Sequence, residues 1–189
     1  MRKKPVLFLG RTEAPRPREA EDALATFDAG ERGEWWWRQP RRWRPEWRLE
    51  AGGRLVATFS RGAVFARTTH VQFEGESFEV VRGLTGRREL RREGGVEALA
   101  RYVPGWLVGG RIELAGGDAL VLKPSGFWMT AHEIRTPDGL GLLRFESREG
   151  FLRREVRLRI EDAARRRPDL AQLLALGGAL VLSPPKQQH

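Results

Sequence analysis

From position 35 onward the chain alternates apolar and polar residues in short runs, and glycines at 52–53, 62, 75, 94–95, 109–110, 116–117, 126, 139 and 150 divide them. That spacing predicts a β-meander. Glu46 to Glu50 and Arg54 to Phe59 form one hairpin about Ala51-Gly52-Gly53, and Val71 to Phe73 and Phe78 to Arg82 form a second about Glu74-Gly75-Glu76. Arg87 to Arg92 with Val96 to Tyr102, Arg111 to Leu114 with Ala119 to Leu122, and Trp128 to Arg135 with Leu142 to Ser147 continue the series. In Glu155 to Ile160, Val156, Leu158 and Ile160 share one face and Arg157 and Arg159 the other. The pattern then changes. Twelve of the fourteen residues from Asp169 to Leu182 are apolar, which predicts a helix with no face left for water. At ~1.5 Å per residue it reaches roughly 21 Å, short of a bilayer's hydrocarbon core.

A long antiparallel series leaves edges, and closure into a barrel removes them. About twelve strands enclose a hole too wide for their own side chains to fill. The expected fold is therefore mainly β: a closed antiparallel barrel of about 12 strands around one central hydrophobic C-terminal helix, spanning 35–183 with the helix at 168–182. Residues 1–34 read as a flexible extension, because 11–33 combine proline and mixed charge with few large apolar groups. Residues 184–189 read as a tail. The start MRKKPVLFLG has only Val6 to Leu9 as an apolar core, too short for a signal peptide, so a cytoplasmic protein is expected.

The successive hairpins EWRLEAGGRLVATF, HVQFEGESFEVVR, RRELRREGGVEALARY and GRIELAGGDALVLKP, closed by DLAQLLALGGALVL, resemble the tubby C-terminal-like superfamily over Trp35 to Leu182. Its branches include tubby proteins, phospholipid scramblases and LURP-one-related proteins. The resemblance implies a closed barrel around a hydrophobic helix; in the tubby branch it implies phosphoinositide binding, and in the scramblase branch membrane association. No functional residue is carried over from it. The absence of cysteine and the polar ending SPPKQQH depart from the scramblase branch.

Charge points the same way. The formal net charge is +9 and the pI about 11.1, a balance that favours anionic partners. Only Lys3, Lys4, Lys123 and Lys186 are lysines, an arginine bias that a GC-rich genome also produces. With no cysteine, disulfides, thiolate nucleophiles and cysteine-ligated metals are excluded.

The segment Trp35 to Arg48 interleaves five tryptophans with five arginines. It suits a lipid-headgroup interface or stacking on single-stranded nucleic acid, but burial statistics favour alternate tryptophans filling the barrel or covering an open end while the arginines are solvated. The candidate anion- or lipid-binding residues are Arg41, Arg42 and Arg44 in this segment, with Arg87, Arg88, Arg91 and Arg92. On one strand Arg87 and Arg91 project to one side, Arg88 and Arg92 to the other. Arg165 to Arg167, just ahead of the helix, invite an anion or form a solvated loop capped by Asp169.

Catalytic chemistry is sparse. His132-Glu133 opens like a zincin motif, but Thr136 stands where the second histidine is needed. Ser183 to Lys186 has serine-x-x-lysine spacing, but Pro184 and Pro185 forbid the helical turn it requires. His70 and His132 read as structural. The expectation is a non-enzymatic binding or scaffold protein, without metal or cofactor, that engages anionic phospholipid or works near a membrane. The alternative is a nucleic-acid-binding protein using the Trp/Arg surface, and a hydrolase or transferase using carboxylates whose pairing the sequence does not reveal is the third reading.

Overall fold

In the computed structural model, residues 34–40, 46–61, 67–73, 75–106, 109–126, 130–149 and 154–182 are described. Arg41, Arg42, Arg44 and the expected N-terminal extension lie outside them, apart from Glu34.

Twelve strands run in sequence: β1 (Trp35–Arg38), β2 (Glu46–Ala51), β3 (Arg54–Arg61), β4 (Thr68–Phe73), β5 (Glu76–Arg82), β6 (Arg88–Arg92), β7 (Ala98–Pro104), β8 (Gly110–Leu114), β9 (Ala119–Ser125), β10 (Ala131–Arg135), β11 (Gly141–Glu149) and β12 (Arg154–Ile160). Each pairs antiparallel with its neighbours in sequence, and β1 pairs with β12 to close the barrel. Closure leaves no edge strand for another chain to extend. Alternation sorts the side chains: Val156, Leu158 and Ile160 are buried while Arg159 is exposed. Register shifts at Leu49/Glu50, Leu90/Arg91 and Ile134/Arg135 mark where extra residues bend the wall.

The predicted hairpins match these strands to within a few residues. The largest differences are of three residues: β4 starts at Thr68 rather than Val71, β9 runs to Ser125 rather than Leu122, and β10 starts at Ala131 rather than Trp128, while β7 starts two residues late, at Ala98 rather than Val96. Val96 instead lies exposed after Gly94-Gly95.

After β12 come one helical turn, α1 (Asp162–Arg165), and the helix α2 (Leu170–Leu182). The carbonyl of Asp169 accepts from Leu173 N–H at 3.0 Å, starting α2 where the apolar run predicts. Every residue of α2 except Gln172 and Val181 is buried, as its sequence requires. Wall residues meet it from separate strands. A Cβ at Gly177 would lie 2.7 Å from Phe145 of β11 and 3.0 Å from Ile134 of β10, and one at Gly178 would lie 3.1 Å from Trp37 of β1. On β6, Arg88 donates a hydrogen bond to the carbonyl of Ala179. Trp37 in turn packs edge-on to Phe59, with centroids 6.2 Å apart.

Candidate functional site

Antiparallel order divides the connections between two ends. Odd-numbered strands finish, and even-numbered strands begin, at one end of the barrel. The sequences joining them there are QPRRWRP (39–45), GAVFAR (62–67), GLTGR (83–87), GWLVG (105–109), GFWMT (126–130) and GFLR (150–153), with no Asp or Glu in any and a large apolar residue in each. At the opposite end, 74–75, 93–97, 115–118 and 136–140 each carry an acidic residue, as do 161–169 ahead of α2. The molecule is thus polarised along its axis.

Among the described residues, the basic end presents Arg61, Arg67, Arg82 and Arg87 around two solvent-facing apolar side chains. Leu84 is 87% exposed and Trp106 98%. Their supports are ordered. Arg82 N–H donates to Arg67 O at 2.8 Å, tying the β5 end to the β4 start, and a Cβ at Gly86 would lie 3.7 Å from Pro104. The Trp106 turn is closed by Gly105 N–H donating to Gly109 O at 2.9 Å, and the Tyr102 hydroxyl donates to that same carbonyl at 2.7 Å. Only glycine fits at 109 and 110, where a Cβ would lie 2.2 Å from Leu122 O and 2.4 Å from Val103 O.

Positive charge is concentrated beneath these loops. Arg82 sits directly across from Arg88 in the β5–β6 register, which sets two like charges side by side. Burial, then the charge of Arg82 and of Arg61, push the Arg88 guanidinium down to about 10, still protonated at neutral pH. Among the described residues, Arg61, Arg67, Arg82 and Arg87 make no ion pair with a carboxylate. Elsewhere on the wall pairing is common: Arg38 lies 2.7 Å from Glu50 and 3.3 Å from Glu155, and Arg144 lies 2.7 Å from both Glu133 and Glu146.

The arginines singled out in sequence are thereby separated. Arg87 belongs to the basic rim. Arg88 points inward to α2 and is only 7% exposed, so it has no surface to offer a ligand. Arg91 points outward and is clasped by Glu89, whose carboxyl that hydrogen bond holds below its ordinary value. Arg92 stands at the acidic end, 3.9 Å from Glu76. Arg167, ahead of α2, donates to Asp169 at 2.8 and 3.0 Å and to Asp118 at 2.8 Å, so carboxylates already fill the place an anion would take. In the tryptophan segment Trp35, Trp37 and Trp47 are core residues, while Trp36 lies outside with the Arg38 and Arg148 guanidiniums 5.8 and 5.2 Å from its ring centroid. His132 is half-buried on β10; burial lowers its pKa, and its Nδ1 has no hydrogen-bond partner.

Two recesses offer weaker alternatives. One of about 290 Å³ includes Arg38, Arg154, Glu50 and Glu155, and one of about 420 Å³ includes Arg167, Asp118 and Asp169. Both mix arginine with carboxylates. Sequence reading missed Arg61, Arg67, Arg82, Leu84 and Trp106, and the signal that finds them is the absence of acid from every second connection. No family model matches the chain, and neither a curated protein nor a solved structure matches it.

Proposed function

We propose that this chain is a non-enzymatic, tubby-like barrel that docks on a membrane surface carrying anionic lipid headgroups, using the end that holds Arg61, Arg67, Arg82, Leu84, Arg87 and Trp106. In this reading α2 is the barrel's central element, supported by its near-complete burial and by contacts reaching it from β1, β6, β10 and β11. The observation that carries the function is a rim whose connecting sequences hold no acidic residue, whose Arg61, Arg67, Arg82 and Arg87 pair with no carboxylate among the described residues, and which bears an exposed tryptophan and leucine. Guanidinium pairs with phosphate, and an indole settles at the headgroup level beside it. Each arginine near an anionic leaflet contributes about 1 kcal/mol.

Docking needs no spanning helix; among the described residues no helix is long and apolar enough to cross a membrane. A cytoplasmic location at the inner leaflet fits this reading. Single-stranded nucleic acid would also meet arginine and tryptophan, but Leu84 offers a base nothing to stack on.

Co-sedimentation of the full chain with vesicles tests the proposal. Stronger binding to phosphatidylserine-containing than to pure phosphatidylcholine vesicles, weakening as salt rises, is expected. Equal binding to both, or no binding to vesicles alongside salt-sensitive binding to single-stranded DNA, would refute it.

A further inference from the structure

Three potential ligands converge on the outer wall. His70 of β4 lies directly across from Glu79 of β5, and Glu93 follows the last residue of β6, its N–H donating to Ser77 O of β5 at 2.9 Å. The imidazole Nδ1 is 3.7 Å from an oxygen of each carboxylate, and the three donor atoms lie within 4.8 Å of one another. At 3.7 Å neither contact is a hydrogen bond.

The charge around the cluster is equally informative. On the barrel wall Glu46, Glu50, Glu89, Glu113, Glu133, Glu146 and Glu155 each have an arginine within ion-pair distance. Glu79 and Glu93 do not; among the described residues their one ion-pair partner is His70. Arg91 faces Glu79 across the β5–β6 register, yet its guanidinium turns to Glu89. Two negative charges are thus left together on a chain of net charge +9.

We propose that His70, Glu79 and Glu93 form a binding site for one divalent transition-metal ion of the zinc class. Zinc bonds to nitrogen and carboxylate oxygen are about 2.0–2.2 Å, so neighbouring tetrahedral donors stand roughly 3.3–3.5 Å apart. Shifts of a few tenths of an ångström bring each carboxylate from 3.7 Å to that spacing from the imidazole, the two carboxylate oxygens, within 4.8 Å of each other, have up to about 1.5 Å further to close, and side-chain exposures of 47%, 26% and 55% leave room for these movements and for entry of the ion. Two carboxylates neutralise the dication. The imidazole favours zinc, cobalt or nickel over calcium or magnesium, which prefer all-oxygen sites. Three protein ligands leave a fourth position for water. Because the ligands come from β4, β5 and the end of β6, the ion would fasten three neighbouring strands.

Isothermal titration of the chelator-treated full chain with zinc chloride tests this. One ion per chain is expected, together with a rise in Tm when zinc is added. Loss of an outer-sphere partner alone typically weakens a site by about 10–100-fold, so His70→Ala and Glu79→Gln should each cost at least about tenfold. Both positions face solvent, and unchanged circular dichroism confirms their folding. His189→Ala and His132→Gln should leave the affinity as it was. Cobalt should give visible absorption of a four-coordinate site that His70→Ala removes. No binding by the wild-type chain, or binding that His70→Ala and Glu79→Gln leave intact, overturns the proposal.

Discussion

The guanidinium of Arg88 on β6 donates to the main-chain carbonyl of Ala179 on α2. Ala179 is among the last four residues of the helix, whose carbonyls lack intrahelical partners, so a wall strand supplies what the helix end lacks. A cation at this end also opposes the negative pole of the helix dipole. The residue therefore ties barrel to helix, and its charge comes from the same arginine-rich strand junction that forms the basic rim.

Arg88→Ala should lower unfolding free energy by at least about 1–3 kcal/mol, the cost of leaving a buried carbonyl unpaired. The measurement is the urea midpoint at constant m-value. A midpoint within error of wild type would show the bond to be dispensable.

Two adjacent glycines should respond differently to alanine. Each substitution gains about 0.8–1.0 kcal/mol of helix propensity. At Gly177 the new methyl would meet Phe145 at 2.7 Å and Ile134 at 3.0 Å, and overpacking of that kind costs about 1–3 kcal/mol. At Gly178 the nearest atom is at 3.1 Å and only Trp37 must yield. Gly177→Ala should be the less stable of the two by thermal unfolding, with Gly178→Ala nearer to wild type.

Leu176 is fully buried, and Leu176→Asp places an unpaired carboxylate there. The loss should exceed about 4 kcal/mol and remove the cooperative thermal transition. A cooperative transition near the wild-type Tm would show that α2 is not core.

Burial depresses the pKa of His132 below the ordinary histidine value of about 6.5. Below that value the unfolded chain takes up the proton before the folded one, so stability is complete above about pH 6.5 and declines as pH falls towards the folded pKa. His132→Gln should flatten the stability profile between pH 7 and 5 relative to wild type. Identical slopes would remove His132 as a source of acid sensitivity.

The barrel was legible because alternation and glycine turns are local signals. At β1 they failed: three consecutive tryptophans hide the alternation, and only burial separates inward Trp35 and Trp37 from outward Trp36. Parity placed Arg88 and Arg91 on opposite sides of their strand, but a charged side chain gives no sign that the inward one ends on a helix carbonyl. Arg61, Arg82 and Trp106 are far apart in sequence and share a rim only because every second connection returns to the same end. The approach of His70 to Glu79 and Glu93 likewise depends on cross-strand register, which hairpin spacing leaves open.

The most direct test of membrane docking compares two double charge reversals with the same net charge, 9 − 4 = +5. Arg82→Glu with Arg87→Glu alters the basic rim; Arg92→Glu with Arg166→Glu alters the opposite end. Binding to phosphatidylserine-containing vesicles is measured for both. Removing two favourable arginines costs about 2 kcal/mol, so the rim variant should bind about thirtyfold more weakly, or worse, while the opposite-end variant stays within a few-fold of wild type. Equal losses in the two variants would contradict the account, since binding would then follow net charge and not the rim.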